Sequence, residues 1–239
     1  MSDDPFRRNA ILGQLPEAEY ARLRPALRLE QAEMKQTAYE PGVAISRLYF
    51  PLSAVYSLVG SADGRLAVEV ATIGHEGFVG LPVYLGAATS PQTAFCQVPG
   101  DTAAIDAEDF RRAMARDGGL HALLGRYTQT TMVQISQNVI CNRSHPAEQR
   151  MARWLLTTHD WVGRDEFPLT QEFLAQMLGV HRPTVSETAQ RIQAGNMIHY
   201  RRGVITITDR QLLEQLACDC YRIVKAEFDA IINYRGEGR

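Results

Sequence analysis

Residues 169–209 read LTQEFLAQMLGVHRPTVSETAQRIQAGNMIHYRRGVITITD, and this stretch decides the fold. Thr170 is placed to cap a short helix, because its hydroxyl can accept from a first-turn amide that has no partner within the helix. Phe173, Leu174 and Met177 or Leu178 give that helix an apolar face. Gly179 stands where a left-handed terminator belongs, and Val180 follows as a buried turn residue. Pro183 suits the start of a second helix, where its missing N–H costs nothing. That helix runs to about Ala194, stops at Gly195-Asn196, and turns Val185, Ala189 and Ile192 inward. Small Ala175 lets the two helices cross closely. Met197 to Tyr200 and Val204 to Ile207, joined through Arg201-Arg202-Gly203, read as a small hairpin. Two helices around a short glycine turn, followed by a hairpin, form the winged helix-turn-helix pattern, whose second helix can enter the major groove of DNA. From His181 to Gly203, Arg182, Arg191, Arg201 and Arg202 stand against Glu187 alone, four minus one, or +3. That local patch is what phosphate contact requires. A helical hairpin that merely packs has no need of a basic wing.

The patch is local because the chain has no basic field: 25 basic against 27 acidic residues give a formal charge of −2. A length of 239 residues predicts two modules, and 45% hydrophobic with 22% charged residues is a globular composition. Cys96, Cys141, Cys218 and Cys220 are too few and too scattered for a disulfide framework. The start, MSDDPFRRNAILGQLPEAEY, carries no apolar run of the secretory kind. No window approaches the roughly 18 apolar residues of a spanning helix. A cytoplasmic chain with reduced thiols and no membrane partner is expected.

Upstream, Pro5 to Leu29 has helical spacing of Ile11, Leu12, Leu15, Leu23 and Leu27. From about Met34 to Ile105 turn signals come at short intervals: Pro41-Gly42, Asp63-Gly64, Gly74, Gly77, Gly80, Gly86 and Pro99-Gly100. Leu66, Val68 and Val70 alternate with Ala67, Glu69 and Ala71. With Tyr56 to Val59 before Asp63-Gly64, they predict a hairpin. Closely spaced short strands predict an antiparallel barrel or jelly roll. Asp106 is a plausible N-cap for a helix that Asp117-Gly118-Gly119 breaks. A long helix from Leu120 to about Asn142 follows, about 33 Å by its rise per residue. That length suits a dimer seam, although Gln134 and Asn138 interrupt a simple apolar heptad. Asn142 to Pro146 reads as a hinge, with Pro146 at a first helical position. The next helix, Ala147 to about His159, buries Met151, Trp154 and Leu155. The predicted fold is α+β: a jelly-roll-like β-roll over 1–118, a dimerisation helix and hinge over 119–144, the winged helix-turn-helix over 145–215, and a helical extension over 216–239.

With that order in hand, the chain resembles the Crp/Fnr family of bacterial transcription regulators along nearly its whole length. The resemblance is carried by Gly179-Val180-His181-Arg182-Pro183-Thr184-Val185-Ser186 and, less specifically, by Gly74-His75-Glu76-Gly77-Phe78-Val79-Gly80. It implies a non-enzymatic homodimer, paired through the Leu120–Asn142 helix, that reads a pseudo-palindromic promoter site and on some sites touches RNA polymerase. By position, Arg182, Pro183 and Glu187 fall where the family meets base edges. Arg182 can pair bidentately with guanine, and Glu187 can accept from cytosine. Pro183 departs from the acidic residue of the cyclic-AMP receptor, so one base contact is missing. Thr170, Gln171, Thr184 and Ser186 are candidates for phosphate or edge contacts, and Arg201 and Arg202 for the backbone.

The effector does not transfer with the family. Cyclic-nucleotide binders hold the ribose with an acidic residue and the phosphate with an Arg-Ser pair. Here the first position falls at Leu81 in Gly80-Leu81-Pro82, and the pair near Pro91-Gln92, beside Thr93. No Arg or Lys lies between Leu66 and Phe110. A buried phosphate without a cation is costly, so cyclic AMP is not expected to bind in the usual way. A ligand-free scaffold and a less anionic effector both stay open.

Other chemistries have less behind them. No cysteine precedes Cys96, so the N-terminal iron–sulfur cluster of the oxygen-sensing branch is absent. His75 and Cys96 are only nominal haem ligands. Cys218 and Cys220, read on one helix from Asp209 to about Tyr234, point in different directions, as residues two apart do. One buried and one surface thiol is the expectation, with redox as the alternative and no metal or other cofactor. A hydrolase built on His75, His121, His145, His159, His181 or His199 lacks any nucleophile motif. A cyclic-nucleotide module of a kinase or channel system is opposed by the missing Arg and by the winged helix.

Overall fold

The computed structural model describes residues 4–60, 68–115 and 118–233. The single N-terminal helix expected from Pro5 to Leu29 is broken. A 3-10 turn (Pro5–Arg8) leads to α1 (Ala10–Gly13) and α2 (Glu17–Leu23), and a second 3-10 turn spans Arg24–Ala26. Asn9 ends the first turn and restarts the chain, because its side chain accepts from the amides of Ile11 and Leu12. Pro16 and Pro25 have no amide to continue a helix. From Arg28 the chain is already extended, so the roll begins before Met34.

Seven strands build the roll among the described residues: β1 (Arg28–Ala32), β2 (Thr37–Tyr39), β3 (Arg47–Pro51), β4 (Val55–Gly60), β5 (Val68–Ile73), β6 (Thr93–Val98) and β7 (Gly100–Asp106). They form two sheets, β1-β7-β3 and β2-β6-β4-β5, with every pair antiparallel. β4 and β5 pair as a hairpin. Its expected turn at Asp63-Gly64, with Leu66 and Ala67, lies outside the described residues. Within β5 the alternation runs opposite to hydropathy: Glu69 and Ala71 are buried, whereas Val68 and Val70 are half-buried. A short α3 (Leu81–Tyr84) follows the glycine-rich segment. Gly77 there has a packing reason, since a Cβ would come 2.7 Å from the hydroxyl of buried Tyr127.

Asp106 stands at the N-cap of α4 (Ala107–Met114) but makes no capping bond; its carboxylate lies 3.6 Å from Arg47 instead. α5 (Gly119–Ser144) extends past both expected ends. Glu19 caps it from outside, accepting from the amides of Gly119 and Leu120. Asp117 lies outside the described residues. The heptad interruption has a cause: Gln134 and Asn138 are buried and donate to the carbonyls of Thr72 and Val70, fastening α5 to β5. The opposite face is bare. Ala122, Gly125, Gln129, Met132, Ser136, Val139 and Arg143 are exposed at alternating spacings of three and four, with Met132 60% and Val139 66% exposed.

His145 is extended, and Pro146 is the N-cap of α6 (Ala147–Val162) rather than its first helical residue. α6 runs beyond His159 to Gly163, whose φ of 66° ends it, and it buries Met151, Trp154 and Leu155. The winged module follows: β8 (Glu166–Pro168), α7 (Gln171–Leu178), α8 (Arg182–Ala194), β9 (Ile198–Arg201) and β10 (Val204–Ile207), with sheet order β8-β10-β9. β8 was not expected; its three residues are too few to show an alternation.

The expected C-terminal helix is two helices, α9 (Arg210–Leu216) and α10 (Cys220–Ile232). Ala217 is extended between them. This break corrects the reading of the last two cysteines. Cys218 and Cys220 are both buried, because they leave the α9 axis at the break and turn toward α5. Tyr234 lies outside the described residues.

Candidate nucleic-acid interface

Local capping rules position the surface. Thr170 accepts from the amide of Phe173 at the start of α7. That bond uses a lone pair, so the hydroxyl proton is still available to an outside acceptor. Gly179 ends α7 at φ 61°, and Val180 is half-buried rather than buried. α8 begins at Arg182 with Pro183 in its first turn. Val185, Ala189 and Ile192 are buried beneath it, and Ala175 is buried at the crossing. Buried Arg150 of α6 donates to the carbonyl of Leu178, which anchors the turn to the helix behind it. In the wing, Arg202 and Gly203 both have positive φ, 51° and 76°. Two successive left-handed residues make the tight hairpin turn whose twist matches that of its strands.

The fold brings most of the sequence-predicted residues together. Thr170, Gln171, Arg182 and Arg202 line one open cleft of about 600 Å³, with Glu172, Tyr200 and Gly203. Gln171 and Ser186 line an adjoining groove with Gln190, Gln193 and Tyr200. Arg201 and Arg202 flank the outer side of the wing beside His199 and Glu166. Thr184 is half-buried, and Pro183 and Glu187 are exposed. Arg191 differs from the others in the basic patch: its guanidinium lies 3.9 Å from Glu148 and 4.0 Å from Glu187. Arg182, Arg201 and Arg202 have no ion-pair partner among the described residues, so they carry the patch.

Tyr200 is the residue that sequence reading missed. Its hydroxyl donates to the carbonyl of Leu169 and its amide donates to Gln193. It thereby holds the wing against both helices, and burial pushes its phenol up to about 12. Strand position and an amphipathic ring flanked by basic residues were the available signal.

The positions expected to hold an effector are built differently. Gly80 has φ 158°, and a Cβ there would come 2.7 Å from the Phe78 ring. Leu81 and Pro82 form the first turn of α3. Pro91 is exposed, and Gln92 and Thr93 are half-buried. His75 packs edge-on against Trp161 at 5.7 Å. The Cys96 thiol donates to the carbonyl of Val98 and is pushed up to about 12 by burial.

The roll meets the winged module through a buried polar chain. Trp154 Nε1 donates to Glu69 Oε2 at 2.7 Å. Ser57 Oγ lies 2.7 Å from Glu69 Oε1 and 2.5 Å from Gln97 Oε1, and Gln97 Nε2 donates to Thr158. Phe95 meets Phe173 edge-on at 6.0 Å, and Val68 lies against Gly179. Desolvation raises the Glu69 carboxyl to about 7.

Comparisons with known proteins agree with this architecture. Residues 149–216 match the family described as the Crp-like helix-turn-helix domain. A Crp/Fnr-family regulator from Eubacterium rectale superposes with a TM-score of 0.67 at 18% identity, covering 86% of this chain and 96% of its own. FixK2 from Bradyrhizobium japonicum gives 0.67 at 13% identity, covering 80% of this chain and 98% of its own. The c-di-GMP responsive regulator CLP of Xanthomonas campestris gives 0.60 at 15% identity, covering 80% and 99%. No curated protein matches. No helix among the described residues is long and apolar enough to cross a membrane.

Proposed function

We propose that this chain, which carries a Crp-like helix-turn-helix domain on the fold of the Crp/Fnr transcription regulators, is a cytoplasmic, non-enzymatic, homodimeric regulator that reads a pseudo-palindromic promoter site. The observation that carries the reading is the cleft shared by Thr170, Gln171, Arg182, Tyr200 and Arg202. It joins the N-termini of α7 and α8, where free amides favour phosphate oxygens, to cations that have no ion-pair partner among the described residues. Arg182 reads a base edge from the first turn of α8, with Pro183 and Glu187 beside it. Thr170, Gln171, Thr184 and Ser186 contact phosphates or base edges, and Arg201 and Arg202 follow the backbone.

The dimer forms along the bare face of α5. Residues at alternating steps of three and four present one stripe, as a two-helix seam requires. Small Ala122 and Gly125 allow close approach at one end, and Met132 and Val139 supply apolar contact further along. The bound dimer touches RNA polymerase on some promoters. The roll does not take cyclic AMP in the usual way, because no Arg or Lys lies between Leu66 and Phe110, where the family's phosphate-holding pair falls. The fold itself tolerates other effectors, as the c-di-GMP responsive neighbour illustrates. The protein therefore senses through another ligand, through its thiols, or acts without a dissociable effector.

The test is to incubate the purified protein with fragmented genomic DNA of its source at moderate salt and sequence what is retained. A shared two-fold motif with half-sites one helical turn apart is the expected result. Retention without a motif, unchanged by cell extract, overturns the reading. Calorimetry with cyclic AMP is expected to give no stoichiometric heat.

A further inference from the structure

Four side chains that the DNA surface does not use converge at the hinge. Cys141 and His145 sit one turn apart at the end of α5, so both face the same way. Cys218 and Cys220 flank the break between α9 and α10. One ligand atom from each of the four lies within 4.8 Å of all the others. Cys141 Sγ is 3.5 Å from Cys218 Sγ, and Cys220 Sγ is 3.7 Å from His145 Nδ1. The three thiols are buried and form a small cluster of their own, and His145 is half-buried at its edge.

We propose that Cys141, His145, Cys218 and Cys220 bind one tetrahedral Zn²⁺ that fastens the end of α5 to the start of α10 across the hinge. Zinc–sulfur bonds of about 2.3 Å and zinc–nitrogen bonds of about 2.0–2.1 Å place tetrahedral ligand atoms about 3.4–3.8 Å apart. The two close contacts already have that spacing, and the remaining separations, none above 4.8 Å, need to contract by about 1.0–1.4 Å at most. Three cysteines and one histidine are a closed set, typical of a structural ion with no open position for substrate. A polynuclear iron–sulfur centre distributes its thiolates over different irons and spreads them further. On binding, the three thiols release their protons to solvent and the imidazole donates through a neutral nitrogen. The resulting site carries one net negative charge, two positive against three negative. Arg150 and Arg153 of α6 are near enough to the thiols to interact electrostatically. Both have a buried Nε without a hydrogen-bond partner among the described residues.

The location gives the ion its consequence. His145 is the extended residue between α5 and α6, and α10 packs along α5 through Val224 and Phe228. An ion holding both ends fixes the angle at which the winged module leaves α5. That this angle sets DNA affinity rests on the function proposed above. The experiment uses no DNA, so its failure leaves that reading standing.

The full chain, purified in reductant without chelator, is expected to carry one zinc per chain by mass-spectrometric metal analysis. After stripping, Co²⁺ should restore the intense visible bands of a tetrahedral thiolate site, and Zn²⁺ should bleach them. His145→Ala and Cys141→Ser should lose most of the bound metal while far-ultraviolet circular dichroism is retained. His145→Ala changes no buried thiol, so it serves if the cysteine variant fails to fold. Metal should also slow amide exchange severalfold at residues 142–146 and 218–221. A folded, reduced chain that holds less than a tenth of an equivalent of zinc and gives no cobalt bands overturns the site. So does a Cys141–Cys218 disulfide in a chain whose reduced form takes no metal, or metal content unchanged by both variants. Bound metal with unaltered exchange at those segments overturns the fastening.

Discussion

Replacing Glu69 by Gln should remove a pH-dependent penalty that wild type carries at the joint between the roll and the winged module. The hydrogen-bond geometry agrees with this alongside the raised pKa. The single hydroxyl proton of Ser57 faces two acceptors, Gln97 Oε1 at 2.5 Å and Glu69 Oε1 at 2.7 Å. In this orientation the Gln97 amide donates to Thr158. With Gln97 in that orientation, a protonated Glu69 carboxyl supplies the second proton between Ser57 and Glu69. Desolvation raises this carboxyl from 4.5 to about 7, against the lowering effect of Ser57 and Trp154. The folded state therefore holds this proton more tightly than the unfolded chain does. Its advantage is complete below pH 4.5 and is lost as pH rises through 7. Between pH 5 and 8 the loss is roughly 2–3 kcal/mol at 1.36 kcal/mol per pKa unit, or roughly 5–10 °C in Tm for a chain of this size. Gln reproduces the neutral acid, with an oxygen for Trp154 Nε1 and an amide proton for Ser57. Glu69→Gln should match wild type at pH 5 and melt higher at pH 8 by that margin, by differential scanning calorimetry. A Tm difference of the same size at both pH values would refute the argument.

Arg182→Ala should cost about 1–3 kcal/mol of operator binding and relax discrimination at one base position, as read by binding to a randomised-site library. Arg201→Ala should instead weaken all sequences alike and lower the slope of log affinity against log salt by about 1. Val139→Asp puts a charge on the bare stripe of α5, far from the roll core. It should convert dimer to monomer in light scattering and leave the monomer's circular dichroism intact; an unchanged mass would place the seam elsewhere.

The recognition module was legible because its rules act over a few residues. A Thr170 cap, a left-handed Gly179, Pro183 in a first turn and an inward stripe each bind neighbours in sequence, and the cleft is assembled from that same short stretch. The broken N-terminal helix was less legible because Asn9 can cap or be solvated, and burial decides which. The β4–β5 hairpin was legible, but which face of β5 is buried was not, for a tertiary reason. Strand alternation presumes that one face meets solvent, but here α5, α6 and α7 cover the sheet, so Glu69 is buried while Val68 is half-exposed. The cysteine cluster was least legible. It joins positions 141 and 218, which are 77 apart, and depends on a helix break at Ala217–Asp219 that no Gly or Pro announces. A trace existed even so: two cysteines that cannot share a helix face, and a Cys141–His145 pair that can.

Two of the features that escaped local reading lie at joints. Glu69 sits where the roll meets α6, and the thiols sit where α5 meets α10. Contacts of this kind link distant segments, so a substitution at one end alters a joint without disturbing the capping and packing that shape the cleft between α7, α8 and the wing. The winged module can then be retained while its joints to the roll change. Structural neighbours that share the fold at 13–18% identity are what such a division permits. It also permits a chain to keep the glycine-rich roll segment from Gly74 to Gly80 although no Arg or Lys lies between Leu66 and Phe110. In this protein Gly77 and Gly80 are held by close packing against Tyr127 and Phe78, a constraint that persists whether or not any ligand is bound.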